Sequence, residues 1–132
     1  MDLSQGLSLL ASRIPAMIER LTTENATRNA LLMPFFQALG YEVFDPAQVW
    51  QSYSPTGEPD AEVDCALLQN NKPALVATCK SAATPLTPAL THSLRAAFSQ
   101  SGAEVGLLTN GLVYQFFLRD PSASQVNGMS AV

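Results

Sequence analysis

The stretch EVDCALLQNNKPALVATCK, residues 62–80, decides how this chain folds. In its first half Val63, Cys65 and Leu67 point to one side while Glu62, Asp64, Ala66 and Leu68 point to the other, the period-two pattern of a strand. Its second half, PALVATCK, is another β-rich run, in which Thr78 and Lys80 are two apart and share a face. Gln69 to Lys72 has turn composition, so the two runs predict a β-hairpin. That hairpin brings Asp64, Thr78 and Lys80 to one edge of a sheet. The layout suits a divalent cation. Mg takes oxygen ligands, commonly from one or two carboxylates, and a nearby lysine can orient or activate water for attack on a phosphodiester.

Upstream of the hairpin, Tyr41 to Phe44 and Val49 to Tyr53 read as short strands. Ser54 to Asp60, with two prolines and a glycine, reads as a loop. Before these, Leu31, Phe35 and Leu39 recur every four residues beside Leu32 and Phe36, predicting a helix. Thr22 and Thr23 are candidate N-caps, Glu24 lies in the first turn, Pro34 is expected to bend the last turn and Gly40 stands at the C-cap. Leu3, Leu7, Leu10, Ile14, Met17, Ile18 and Leu21 form an earlier amphipathic stripe that Pro15 should kink or split.

Downstream, Leu86, Leu90, Leu94 and Phe98 predict a core-facing helix from Pro85 through Gly102, opened by Thr87 and Pro88. EVGLLTN and LVYQFFL flank Asn110 and Gly111, a strong hairpin signal. Asp120 to Val132 is small and polar, as in a frayed end. The order of helix, helix, strands, helix and two strands fits an α/β sandwich. We assign residues 1–120 to one domain and 121–132 to a flexible C-terminal tail.

The chain has 132 residues, 47% of them hydrophobic and 14% charged, which excludes a disordered or collagen-like polymer. No apolar run reaches the roughly 20 residues that cross a bilayer, and the start of the chain lacks a signal-peptide pattern, so a cytoplasmic location without membrane contact is expected. Seven Lys and Arg against eleven Asp and Glu give a net charge of -4. That is the wrong sign for a free nucleic-acid binder, because phosphate contacts need cations.

The distribution of charge is sharper than its total. Between Arg28 and Lys72 no basic residue occurs, yet Glu42, Asp45, Glu58, Asp60, Glu62 and Asp64 all fall there. Cys65 and Cys79 lie in apolar strand-like segments without CxxC spacing, and His92 is the sole histidine. They are expected to be buried thiols rather than a zinc or Cys/His catalytic set. No GxxxxGK[ST] phosphate-binding loop is present.

Three stretches carry a family likeness: TENATRNALLMPFFQALGYEVFDP at residues 23–46, EVDCALL with NNKPALVATCK, and VGLLTNGLVYQFF at 105–117. In that order they resemble the N-terminal nuclease domain of type I restriction enzyme R subunits and their small relatives, within the PD-(D/E)XK superfamily. The resemblance implies a restriction-endonuclease-like three-layer α/β sandwich, a mixed sheet flanked by helices. It also implies an early-helix glutamate at Glu24, a first motif acid at Asp64 and the motif lysine at Lys80. The family's second acid, two residues before that lysine, is replaced by Thr78. A glutamine expected on the following helix is replaced by Ser93, and an aromatic a turn later by Ala97.

Without a carboxylate at Thr78 the family's Mg site is one charge short. The resemblance therefore implies a catalytically degenerate domain that acts as a binding or assembly module and contacts DNA only weakly on its own. An active Mg-dependent endonuclease would need a relocated acid, Glu62 or Glu24, to complete a metal set with Asp64. A homodimer or a complex with a partner protein, joined through a sheet edge or an apolar helix face, is the reading without nucleic acid.

Overall fold

The hairpin forms, and its turn explains itself. In the computed structural model, which describes residues 2–119 and 129–131, strands Val63–Gln69 and Lys72–Cys79 pair antiparallel with Cys65 opposite Ala77 and Gln69 opposite Lys72. Asn70 and Asn71 between them adopt φ of +54° and +65°, the left-handed pair that a two-residue hairpin turn needs and that Asn tolerates best after Gly. With Val49–Tyr53 as β1, these strands are β2 and β3.

Val105–Thr109 (β4) lies parallel to β3, Tyr114–Arg119 (β5) antiparallel to β4, and Met129–Ala131 (β6) antiparallel to β5. The sheet order is β1-β2-β3-β4-β5-β6. The expected tail at 121–132 falls mostly outside the described residues, and β6 comes from it.

Helices cover both faces. α1 (Leu3–Met17) is opened by Asp2 and Gln5, each accepting from the other's backbone N–H. It ends two residues beyond Pro15 and tightens into a 3₁₀ turn, Ile18–Arg20. Next, α2 (Glu24–Thr27) is capped by the Thr23 hydroxyl, which accepts from Ala26 N–H at 3.0 Å. The helix widens to a π turn at Arg28–Leu32 and returns to α geometry as α3 (Met33–Ala38). Pro34 supplies the reason: it has no N–H to close the regular ladder one turn back, and the extra residue is absorbed just before it.

Leu32, Met33 and Phe36 from this helix pack on Cys65, Leu67, Leu75, Ala77, Cys79 and Leu107. On the opposite face, α4 (His92–Ser101) packs Leu94, Ala97 and Phe98 on Ala66, Val76 and Leu108. The result is a three-layer α/β sandwich, as the order of elements predicted. α1 packs outside the first helical layer through Leu10, next to Leu21 and Leu31.

Several local expectations are corrected. Tyr41 to Phe44 is a turn and not a strand: Tyr41 N–H donates to Phe36 O at 3.1 Å, Glu42 N–H to Gln48 Oε1 at 2.9 Å and Asp45 N–H to Glu42 O at 3.0 Å. Its backbone is satisfied locally, Val43 is buried, Tyr41 packs half-buried against the same core, and Phe44 is left 87% exposed. The helix expected from Pro85 starts later, with a 3₁₀ turn at Pro88–Thr91 before α4. Leu86 and Leu90 reach the same core from outside the α-helix.

The Asn110-Gly111 hairpin has a four-residue loop, since Thr109 pairs with Tyr114. Asn110 Oδ1 accepts from Leu112 and Val113 N–H at 3.0 and 2.9 Å, and Gly111 takes φ +84°. Finally, Val63 does not share a face with Cys65 and Leu67 but packs with Ala66 and Val76. Ser52, at φ +58°, resets the alternation of β1 just before Tyr53, and Val63 is the cross-strand partner of Tyr53.

Candidate functional site

The end of the β2–β3 hairpin remote from its turn is where the sequence placed chemistry, and there the two strands part. Their pairing stops at Cys65 opposite Ala77. One step further, Cys79 N–H donates to the Asp64 carboxylate, Oδ2 at 2.7 Å. A side chain has thus taken over the role of a ladder carbonyl. A charge-assisted bond of this kind is about twice as strong as a neutral one.

The other oxygen of Asp64 faces a cation. Arg28 Nη1 lies 3.6 Å from Asp64 Oδ1, with both side chains mostly buried at 17% and 23% exposure. Arg28 is also steadied by Asn25, whose Oδ1 accepts from Nη2 at 2.7 Å, while its Nε is buried without a partner. Lys80 follows β3, its own N–H bound to Thr109 O at 2.7 Å. Its ammonium stands 3.9 Å from Glu24 Oε2, and Glu24 is 55% exposed. A solvated pair at that distance contributes little to stability.

Four charges thus make two pairs, Asp64 with Arg28 and Glu24 with Lys80, and they cancel. Arg28 is the participant that the sequence did not single out. A signal existed: Glu24 and Arg28 are four apart, so both lie on one face of the helix. Arg119 is engaged internally: its guanidinium donates to Phe98 O and Ala103 O at 2.8 and 2.7 Å and lies 4.5 Å from the centroid of the Phe98 ring.

Thr78 is 5% exposed and its hydroxyl has no hydrogen-bond partner. Ser93 stands in the first turn of α4, across the sheet from α2 and Glu24. Thr78 and Lys80 were expected on one face, but β3 ends at Cys79 and its alternation ends with it. Glu62 is exposed just before β2. Among the described residues no three His, Cys, Asp or Glu side chains gather as a cation site.

Both cysteines are buried free thiols beside this edge. Burial, and secondarily the Asp64 charge, pushes both from 9.0 up to about 12. Burial likewise raises the Tyr114 hydroxyl from 10.0 to about 12. The folded state therefore holds these protons longer than the unfolded chain does. Their contribution to stability is fully present below pH 9 and is lost as pH rises towards 12, by up to about 1.4 kcal/mol per pH unit for each group. Urea midpoints measured from pH 7 to 11 should be flat to about 9 and fall beyond it. A midpoint still level at pH 11 contradicts the burial of these groups.

Neither family models, nor curated proteins, nor solved structures offer a match to this chain. No helix among the described residues is long and apolar enough to cross a membrane.

Proposed function

We propose that this chain is a restriction-endonuclease-like domain, of the type found at the N-terminus of type I restriction R subunits, that has lost catalysis and serves as a binding or assembly module. One observation carries the reading: the carboxylate that would bind Mg is already held by the protein's own Arg28 guanidinium and Cys79 N–H. A guanidinium beside Asp64 neutralises it without demanding six oxygen ligands, and so fits a site one carboxylate short. Thr78, at the position of the missing acid, offers a neutral hydroxyl, and Lys80 turns to Glu24 instead.

For cleavage, a cation would have to displace Arg28 from a partly buried pair and recruit Glu62 or Glu24. Glu62 is exposed in the loop, and Glu24 is occupied by Lys80. Any contact with DNA would then be weak and would leave the strand intact, since the chain's balance is -4 and Arg119 is spent inside the fold.

The test is direct. Purified protein incubated with supercoiled plasmid and Mg or Mn should leave it intact, and calorimetry should register no Mg binding at millimolar concentration. Nicking that disappears in Asp64→Ala overturns the proposal and restores the reading of an active endonuclease with a relocated acid.

A further inference from the structure

Among the described residues β1 is the last strand on its side of the sheet, and its sequence, VWQSY, contains no charge and no proline. Edge strands are ordinarily protected by such residues or by being very short. The other edge strand among the described residues, β6, is three residues long, whereas β1 has five. Leu68 N–H donates to Gln48 O at 2.8 Å, and this register turns the backbone groups of even-numbered residues towards β2. Val49 and Gln51 therefore aim theirs outward, whereas beyond the left-handed Ser52, which breaks the alternation, Tyr53 pairs with Val63 of β2. Val49 N–H is taken by Asp45 O at 3.0 Å, so the outward groups of this edge are the Val49 carbonyl and both groups of Gln51.

A groove of about 670 Å³ follows this edge, walled by Val43, Phe44, Pro46, Trp50 and Tyr53. Three residues apart on a regular strand, Trp50 and Tyr53 would face opposite ways. The left-handed Ser52 brings their rings to 5.3 Å, making one apolar wall. Phe44, 87% exposed, and Trp50, 37% exposed, leave that wall open to solvent.

Charge identifies the occupant. Glu42 and Asp45 precede β1, Glu58, Asp60 and Glu62 follow it, and no Lys, Arg or His occurs from residue 29 to 71. Pairing two copies of this edge antiparallel would set the acids at one end of β1 against those at the other, like charge on like. A nucleic-acid backbone is repelled for the same reason. We propose that the β1 edge is a docking site for an extended, basic segment of a partner protein, which adds to the sheet as a further strand and seats an apolar side chain between Phe44 and Trp50. Backbone hydrogen bonds would supply affinity and the groove and flanking acids selectivity, the usual division in strand addition. This inference does not depend on whether Asp64 still supports cleavage.

The probe is a fluorescein-labelled peptide, acetyl-KVKWKVK-amide, titrated into the intact protein and compared with acetyl-EVEWEVE-amide. The basic peptide should bind at least about tenfold more tightly, a gap of about 1.4 kcal/mol. It should protect the Gln51 amide from hydrogen exchange. Phe44→Ser and the pair Glu58→Lys, Asp60→Lys change exposed side chains, keep the circular dichroism spectrum, and should each weaken binding about tenfold. Four results overturn the proposal: no binding of the basic peptide at millimolar concentration, equal binding of both peptides, protection that maps to another element, or a dimer of the protein alone that already protects the Gln51 amide.

Discussion

Asp64→Ala should destabilise the protein by about 3 kcal/mol, because a buried amide loses a charged acceptor and a largely buried guanidinium loses its counter-charge. Cys79 N–H lies 2.7 Å from one carboxylate oxygen and Arg28 lies 3.6 Å from the other. Asp64→Asn keeps an acceptor for Cys79 but not the charge, and should cost about half as much. In the double variant Arg28→Met, Asp64→Asn the buried charge disappears from both sides. Its loss should be smaller than the sum of the two single losses by about 1 kcal/mol or more. Urea unfolding monitored by circular dichroism measures all of these. A carboxylate kept for binding metal behaves in the opposite way, since active-site charges are commonly held at a cost to stability. If Asp64→Asn proved as stable as the natural protein, Asp64 would not be the clasp that closes this end of the hairpin.

Phe98→Ala should cost about 4 kcal/mol, the usual range for deleting a fully buried aromatic ring. Phe98 is 0% exposed and sits among Leu94, Ala97, Val76 and Leu108. It is fitted closely from below: a Cβ on Gly106 would stand 3.1 Å from Phe98 Cδ2, so the glycine lets β4 lie tight against the ring. Backbone this close cannot collapse into the cavity that alanine leaves. Arg119 keeps its two carbonyl acceptors in the variant but loses the ring beneath its guanidinium. Thermal unfolding should show a drop in midpoint of more than about 10 °C. A change of under about 1 kcal/mol would mean that α4 does not seal the second face of the sheet.

These two residues mark the two ways in which the sequence could be read. Phe98 was legible as core because it closes a four-residue repeat, and a repeat on one face of a helix needs no knowledge of the partner surface. Asp64 was legible as important, and its meeting with the end of β3 followed from the hairpin. The interpretation as a metal ligand came from analogy with a family. Its contact with Arg28 joins a strand to a helix far upstream, and the sequence hinted at it only by placing Arg28 on the helix face of Glu24. Of the three positions where the resemblance places departures, Ala97 is buried in the core beneath α4, Thr78 lies in the sheet with an unpartnered hydroxyl and Ser93 opens α4.

By itself the sequence determined the hairpin of residues 63–79, a threonine cap at Thr22 or Thr23, the buried face of α4 and the layered α/β plan. Each of these depends on periodicity and turn chemistry within a few residues. Only the tertiary structure decided the rest: that Tyr41 to Phe44 closes on α3 as a turn, that a left-handed Ser52 brings Trp50 and Tyr53 together, and that Arg28 occupies the carboxylate of Asp64. In each case the deciding atom belongs to another segment of the chain, and a buried charge or backbone group pairs with whatever partner the fold brings within reach.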